Sequence, residues 1–320
     1  MIRNNTRPPR FPDFIIGGAP KCGTTSLHFI LGQNPDIGIP DEEVHYFDAD
    51  DPITHPDFLH VNDNELQWYD PSQDMIQNLE WYRTRFTPFA NKKLIGEDST
   101  TYLFSEVAVD RIKALVPDVK LIFMLRNPVK RAYSQYWHLI CSGRLNCSFE
   151  QGILNQQSII LGSTYTPHLN RFIEAFGRDQ VKTVFLEEFV GDKQQQIDGV
   201  TDYLGAPRMD LNAASTWFNQ THYPTHPKAQ QYLNRIGGRI VSWRYRNHMN
   251  QRSGIAERVR NKVHNRWFQH VNPILLKAPA PPPMRDRTKA YLLQHLSARN
   301  TGLSDLLGRD MSRIWPGFTG

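Results

Sequence analysis

The sequence predicts a three-layer α/β fold, with a central parallel sheet flanked by helices on both faces. Three observations carry this. Short, nearly continuous apolar runs alternate with longer segments of helical periodicity, the pattern of buried strands joined by crossover helices. The first apolar run, Phe14–Ile16, leads through a glycine-rich turn into a helical pattern. A second, Leu121–Leu125, leads through Arg126-Asn127-Pro128 into another. Strand, turn and helix in that order is the unit from which open parallel sheets are built.

Taken in order, Phe14–Ile16 is the first strand. Thr24–Leu31 is a helix, with Leu27, Ile30 and Leu31 at helical spacing and Gly32 able to end it. Lys93–Ile95 reads as a short strand, and Glu106–Val116 as a helix that Ser105 can cap and Pro117 stops. Leu121–Leu125 is a buried strand. Val129–Ser142 is the helix after it, with Pro128 in the first turn, where its missing N–H is not needed. Helix Pro167–Phe176, strand Val181–Leu186 and helix Lys193–Leu204 continue the alternation. A stiff proline hinge, Ala278–Pro283, precedes a last helix at Thr288–Ala298. No internal repeat is visible. A length of 320 residues suits one domain, 1–320, carrying a basic, mostly helical segment at about 212–283.

Between the first strand and helix lies Gly17-Gly18-Ala19-Pro20-Lys21-Cys22-Gly23-Thr24-Thr25-Ser26-Leu27. Backbone N–H groups at a helix start lack intrahelical partners and, with the positive end of the helix dipole, suit an anion. Lys21 adds a full charge, and Thr24, Thr25 and Ser26 add hydroxyl donors. The stretch reads as a cradle for phosphate or sulfate. A nucleoside-triphosphate loop would read G-x-x-x-x-G-K-[ST], but here the lysine precedes Gly23; the G-x-G-x-x-G of dinucleotide folds is also absent. A cysteine-phosphatase loop is excluded because His28 stands where the closing arginine would be. Cys22 has two readings, a thiol activated at a helix start or a small residue filling the turn; the second is the ordinary one.

Pro20-Lys21-Cys22-Gly23-Thr24-Thr25-Ser26-Leu27 resembles the 5′-phosphosulfate loop of sulfotransferases that use 3′-phosphoadenosine 5′-phosphosulfate (PAPS). Arg126-Asn127-Pro128-Val129-Lys130-Arg131-Ala132-Tyr133-Ser134 resembles the family's 3′-phosphate motif, R-[DN]-P-x-x-R-x-x-S. An arginine at a strand's carboxyl end and a serine on the next helix can grip one phosphate together. Tyr165 with the helix ending in Phe176-Gly177, Leu204-Gly205, and Leu306-Leu307-Gly308-Arg309-Asp310-Met311-Ser312 match further family segments, so the resemblance covers nearly the whole chain and is weakest from about 212 to 283. It implies a P-loop-like fold and PAPS as donor, with no metal. The implied cofactor set is Lys21, Cys22, Gly23, Thr24, Thr25, Ser26, Arg126 and Ser134, joined by Tyr165 and Lys228.

Asp41-Glu42-Glu43-Val44-His45-Tyr46-Phe47-Asp48 resembles the K/E-x-x-H/Q-F-F segment of the glycan-modifying branch, such as the heparan sulfate sulfotransferases. There the glutamate at the position of Glu43 is the catalytic base. Pro40–Asp48 reads as a loop running into a short strand, which lets Glu43 face a pocket. His45 is the rival base, since an imidazole titrates near neutrality, or a residue that only orients the site; three adjacent acids are otherwise a common solvated cluster. Gly96-Glu97-Asp98-Ser99-Thr100-Thr101-Tyr102 resembles the segment G-E-K-T/S-P-x-Y, with Asp98 in the lysine position. That removes a cation and points to a cationic or polyhydroxylated acceptor; a helix cap by Ser99 or Ser105 is the plain alternative. The implied reaction is sulfuryl transfer from PAPS to a hydroxyl or amine of a carbohydrate, lipid or small metabolite. Glu43 takes the acceptor's proton, and Lys21 stabilises charge on the leaving oxygen.

Composition narrows the alternatives. The polar N-terminus, Met1–Pro12, is not a secretory signal, and no run is long enough to span a membrane, so a cytoplasmic setting is expected. Cys22, Cys141 and Cys147 suggest no disulfide framework. The formal net charge of +5 is uneven: ten cations and one acid lie between Lys228 and Val271, interleaved with aromatics. That segment, 228–271, fits an anionic acceptor or the cofactor's phosphates, an anionic membrane surface or a solvated helical face; no nucleic-acid module is legible. His222 and His226 have metal-like spacing, but their prolines and the lack of a third ligand argue against zinc. A nucleotide kinase would need a lysine inside the loop and a magnesium carboxylate. A non-catalytic glycan- or lipid-binding protein would lack a base, and Glu43 and His45 are both present.

Overall fold

A computed structural model describes residues 10–68, 75–211, 222–245 and 255–320. The strands are β1 (Phe14–Gly18), β2 (Ile37–Gly38), β3 (His60–Asn62), β4 (Glu65–Gln67), β5 (Leu94–Asp98), β6 (Lys120–Leu125), β7 (Val181–Phe185), β8 (Tyr223–Pro224) and β9 (Leu276–Ala278). The helices used below are α1 (Thr24–Gly32), α2 (Met75–Phe86), α3 (Ala108–Leu115), α4 (Pro128–Cys141), α5 (Phe149–Asn155), α6 (Gln157–Leu161), α7 (Thr166–Phe176), α8 (Leu186–Gly191), α9 (Lys193–Leu204), α10 (Pro227–Tyr245), α11 (Ile255–Arg266) and α12 (Asp286–Arg299). A five-stranded sheet runs β2-β5-β1-β6-β7, parallel throughout, and helices flank it. β3 and β4 form a separate antiparallel hairpin, and β8 pairs with β9.

The central strands are apolar because both faces are covered. Phe14–Ile16 and Leu121–Leu125 are fully buried, each large side chain contributing about 1.5–3 kcal/mol. From β1 the chain departs toward β2, and from β6 toward β7, on opposite sides of the sheet. The connections therefore diverge at the carboxyl ends of β1 and β6, which opens a crevice where parallel sheets bind ligands. The β1–β6 register shifts between Ile16 and Gly18, where the chain leaves the sheet.

Local chemistry sets the helix ends. Asn127 caps α4, its side chain accepting from the amides of Val129 and Lys130 at 3.1 Å each, with Pro128 in the first turn. α9 closes on Gly205 in the left-handed conformation (φ 76°). The serine caps read from the sequence do not form: α3 begins at Ala108 without a side-chain cap, and the Ser105 hydroxyl instead donates to Asp51 Oδ2 at 2.9 Å. Ser99 also turns inward, as described below. Pro40–Asp48 contains no strand. The Ser99 hydroxyl accepts from the amides of Val44 (3.2 Å) and His45 (2.9 Å), and Tyr102 Oη from that of Phe47 (3.3 Å). Side-chain hydroxyls take the donors that a neighbouring strand would have satisfied.

The described part of the basic segment holds the helices α10 and α11 and, toward its two ends, the short paired strands β8 and β9; its residues 212–221 and 246–254 lie outside the described set. The proline hinge is tied down by Tyr133, whose hydroxyl donates to Pro282 O at 2.7 Å. Among the described residues no helix is long and apolar enough to cross a membrane.

Candidate active site

The loop between β1 and α1 presents donors to the crevice. The amides of Gly23, Thr24 and Thr25 donate to no acceptor among the described residues, while those of Ser26 and Leu27 begin the helix by bonding to Gly23 O. Gly23 has φ 93°, and a Cβ there would lie 2.7 Å from Leu186 Cδ1, so both conformation and space require glycine. Lys21 is also left-handed, at φ 70°. Burial lowers its ammonium pKa, and the charges of Arg144, Arg126 and Arg131 add to this while Glu43 opposes it. The set suits a sulfuryl or phosphoryl oxygen: unpaired amides, a poorly solvated cation and the Thr25 hydroxyl at the surface.

Two arginines brace this loop from α4 and its approach. Arg126 Nη1 donates to Lys21 O at 3.2 Å. Arg131 is fully buried and donates from Nε to Pro20 O (3.0 Å) and from Nη1 to Ser158 O (2.8 Å). Its guanidinium lies so close to Gly162 that a Cβ there would sit 2.4 Å from Nη2. Cys22 is buried, its amide bonds to Ala19 O, and burial pushes its thiol up to about 11. It fills the turn and is not an activated nucleophile.

Opposite Lys21 stands a chain of hydrogen-bonded acids and imidazoles. Glu43 Oε2 lies 2.8 Å from His45 Nε2, and the Thr100 hydroxyl donates to the same carboxylate at 3.2 Å. Thr101 Oγ1 donates to Asp48 Oδ2 at 2.6 Å and lies 3.2 Å from His45 Nδ1 and 3.0 Å from His55 Nε2. Having spent its proton on Asp48, that hydroxyl accepts from the imidazoles, which places a proton on His45 Nδ1 and turns Nε2 to Glu43. His55 Nε2 is also 3.0 Å from Asp48 Oδ1. Phe58 stacks on the His55 ring at 4.4 Å.

The charges follow from these contacts. Burial alone would raise the Glu43 carboxyl, but the hydrogen bond and charge of His45, with Thr100 and His55, outweigh it and hold Glu43 below its usual range. Burial would lower His45, but Glu43, Asp48 and Glu97 outweigh it and raise the imidazole. Glu43 is thus a carboxylate held in its ionised form, its side chain 41% exposed at the cleft, backed by an imidazole that is 11% exposed and whose charged form its acidic neighbours favour. His45 has φ 51°, so two positions of the cleft hold non-glycine residues in a left-handed conformation. His45, Asp48 and His55 also place nitrogen and carboxylate atoms within 4.8 Å of one another, a donor set of a type that binds divalent metals; the Thr101 hydroxyl sits among them.

Beneath lies a second buried layer. Glu97 accepts from the hydroxyls of Tyr82 and Tyr102, at 2.5 Å each, and of Ser99, at 2.7 Å. Burial outweighs these donors and raises its carboxyl. Asp98, where the resembling segment carries lysine, bonds through Oδ2 to His28 Nδ1 at 3.1 Å, while its buried Oδ1 has no hydrogen-bond partner among the described residues. Burial pushes its carboxyl up to about 6.

Together these walls enclose a cleft of about 550 Å³, bounded by Lys21 and Thr25 on one side, Glu43, His45 and Thr101 on another, and His138 and Arg144 from α4 and the turn after it. A family model described as "Sulfotransferase family" matches residues 12–210. The chain belongs to the sulfotransferase family. It is 28% identical over 212 residues to the human bifunctional heparan sulfate N-deacetylase/N-sulfotransferase 2, a match covering 61% of this chain and 22% of that protein. It is 27% identical over 230 residues to the human heparan sulfate glucosamine 3-O-sulfotransferase 6, covering 69% of this chain and 60% of the relative. The chain thus spans only part of the curated relatives it matches. A solved sulfotransferase from Alicyclobacillus acidocaldarius aligns over 78% of this chain and 99% of its own, at 27% identity and a TM-score of 0.52.

The residues named from sequence fall into two groups. Lys21, Thr24, Thr25, Glu43 and His45 line the cleft, and Arg126 abuts it through Lys21. Ser26 is half-buried in the first turn of α1, and Ser134 is half-buried on α4, three residues after Arg131. Tyr165 is fully buried and donates to Arg126 O at 2.7 Å, so it steadies the arginine's backbone. Lys228 is exposed in the first turn of α10 and is not among the described residues that line the cleft. Sequence reasoning missed Asp48, His55, Thr101, His138 and Arg144. Burial and the charges of Lys21, Arg144 and Arg131 push His138 well below its usual range, so it is neutral and accepts from Arg144 Nη2 at 2.6 Å. Asp48, three residues after His45 in a turn, was the one legible signal. His55 lies in a stretch without periodicity.

Proposed function

We propose that this sulfotransferase moves the sulfuryl group of PAPS to a hydroxyl or amine, with Glu43 as general base. The observation that carries the reading is the Glu43 carboxylate, kept ionised by His45 and facing the same cleft as Lys21 and the free amides of Gly23–Thr25. When bound, PAPS would supply an electrophilic sulfuryl group, with 3′,5′-adenosine bisphosphate as its leaving group. Lys21 and the amides would hold the 5′ oxygens, and Arg126 with Ser134 the 3′-phosphate. Glu43 takes the acceptor's proton at a carboxylate oxygen. His45 keeps that oxygen ionised beforehand, and Thr101 with Asp48 keeps the imidazole in the orientation that faces it. Lys21, poorly solvated by protein, favours a neighbour on which negative charge grows.

The curated relatives act on heparan sulfate, which supports a carbohydrate acceptor. Asp98 in place of lysine distinguishes the layer beneath the base from the segment it resembles and supports an acceptor that is less anionic than heparan sulfate. Calorimetric titration with 3′,5′-adenosine bisphosphate, beside ATP without magnesium, tests the donor. Selective binding of the bisphosphate is expected; preference for ATP, or no binding, would overturn the reading. Turnover with PAPS and a panel of neutral oligosaccharides then tests the acceptor, and activity confined to heparan-type polyanions would refute its class.

A further inference from the structure

We propose that α11 is a docking surface for anionic lipid membranes, an interaction beyond the sulfuryl-transfer reading and independent of it. The observation is the composition of one helical face. Ile255, Arg258, Val259, Lys262, Val263 and Arg266 recur at three- and four-residue spacing over the whole helix. At 100° per residue they fall within an arc of about 140°. All six are exposed, with Ile255 at 75%, Val259 at 57% and Val263 at 40%.

On the opposite side of the helix His264 is 5% exposed and packs its ring on Phe268 at 4.5 Å. The helix thus has an inner face, and the mixed stripe points away from the protein. Along that stripe Arg258 and Lys262 lie toward one edge and Val259 and Val263 toward the other, with Ile255 and Arg266 between them. This is the arrangement of an interfacial helix, in which aliphatic side chains enter the acyl boundary while lysine and arginine stay at the phosphates.

Charge selects the occupant. A second copy of the chain would set cationic edge against cationic edge, which costs energy. A nucleic acid would meet the cations and leave the three aliphatic side chains in water. An anionic bilayer satisfies both edges at once. α10 carries a shorter patch of the same composition, Lys228, Tyr232, Arg235 and Ile236, all exposed, with Tyr232 at 66% and Ile236 at 60%.

The surface is firmly joined to the cleft wall. Asn234 of α10 donates to Ile140 O (2.8 Å) and Leu145 O (2.6 Å), and Asn272, which follows α11, donates to Cys141 O (2.7 Å). Cys141, Leu139 and Arg144 line the cleft. Docking α11 therefore holds the α4 side of the cleft in a fixed relation to the lipid surface.

Flotation of the full chain with phosphatidylcholine vesicles, with and without phosphatidylglycerol, tests the proposal. Binding is expected only with phosphatidylglycerol present. The double variant R258Q/K262Q should weaken it by about 25-fold, at about fivefold per cation, and I255N/V259N should weaken it as well, since the apolar edge also inserts. Val263→Trp gives a readout that needs no loss of binding: its emission should shift to the blue on adding anionic vesicles. Equal binding to neutral vesicles, an unshifted Val263→Trp emission, or I255N/V259N binding as tightly as the parent would overturn the proposal. Retained vesicle binding in R258Q/K262Q alongside lost binding to a soluble sulfated glycan would do the same, assigning the face to polyanions instead.

Discussion

Arg131 offers a direct test of how the anion loop is held. It is fully buried, and its partners are oxygens of neutral groups: Pro20 O at 3.0 Å, Ser158 O at 2.8 Å and, more distantly, Ile159 O at 3.3 Å, Gln135 Oε1 at 3.4 Å and Ser163 Oγ at 3.5 Å. Arg131→Met keeps much of the volume and removes every donor. Hydrogen bonds from a charged group contribute about 1.5–3 kcal/mol each, so the two short ones amount to about 3–6 kcal/mol. The buried cation carries a desolvation cost that methionine avoids, which brings the expected loss to about 2–4 kcal/mol. Urea unfolding monitored by tryptophan fluorescence measures it as a lower midpoint at unchanged slope. Because Pro20, next to Lys21, loses its brace, affinity for 3′,5′-adenosine bisphosphate should also fall in calorimetry. Stability within about 0.5 kcal/mol of the parent, together with unchanged affinity, would refute the bracing role.

Three further outcomes are expected. Glu43→Gln should lower kcat by about 10²–10⁴ while bisphosphate affinity holds; near-parental turnover would move the base to His45. Lys21→Ala should cut kcat by about 10²–10³, the loss of one charge-stabilising donor, and steady-state rates at saturating donor would expose an error by staying high. Asp98, raised from 3.8 to about 6 by burial, keeps its proton in the folded chain after the unfolded chain has lost it. Stability should therefore fall as pH rises through that window and level off above it. Asp98→Asn should remove the slope, so urea midpoints of variant and parent should draw apart from below the window to above it; parallel profiles would contradict the assignment.

The sheet was legible because its strands are written locally. Phe14–Ile16 and Leu121–Leu125 are apolar on both faces, and that pattern survives in any context. The edge strand β2, two residues long, has no periodicity to read, and β5 extends through Gly96-Glu97-Asp98, whose polarity hides a strand that becomes buried. The amphipathic helix α2 and the short helices α5, α6 and α8 went unread, although Ser148 and Gln151 form a capping box at α5. In the site, Lys21 and Arg126 could be named because cations at strand-to-helix turns point to anion chemistry, and Glu43 only because its segment resembles that of the glycan-modifying branch. Thr101 and His55 could not. Their role depends on β5 delivering Thr101 beside a loop that begins more than fifty residues earlier, and no local pattern records that meeting. Tyr165, named through the family resemblance, is fully buried and directs its hydroxyl to the backbone carbonyl of Arg126.

The attachment of the segment carrying Glu43 and His45 has an evolutionary consequence. Among the described residues, 41–58 make no backbone–backbone hydrogen bond to the sheet. Hydroxyls of Ser99, Thr101 and Tyr102, and the Arg111 guanidinium bound to Asp50 and Phe47 O, hold this stretch instead. Such an arrangement is modular. The ladder of parallel strands can stay invariant while the intervening chain, including the β3–β4 hairpin, is lengthened, shortened or exchanged between descendants. The anion-binding turn after β1 can thus stay fixed while the opposite wall of the cleft is redrawn in a single loop, provided the handful of clasping side chains is kept.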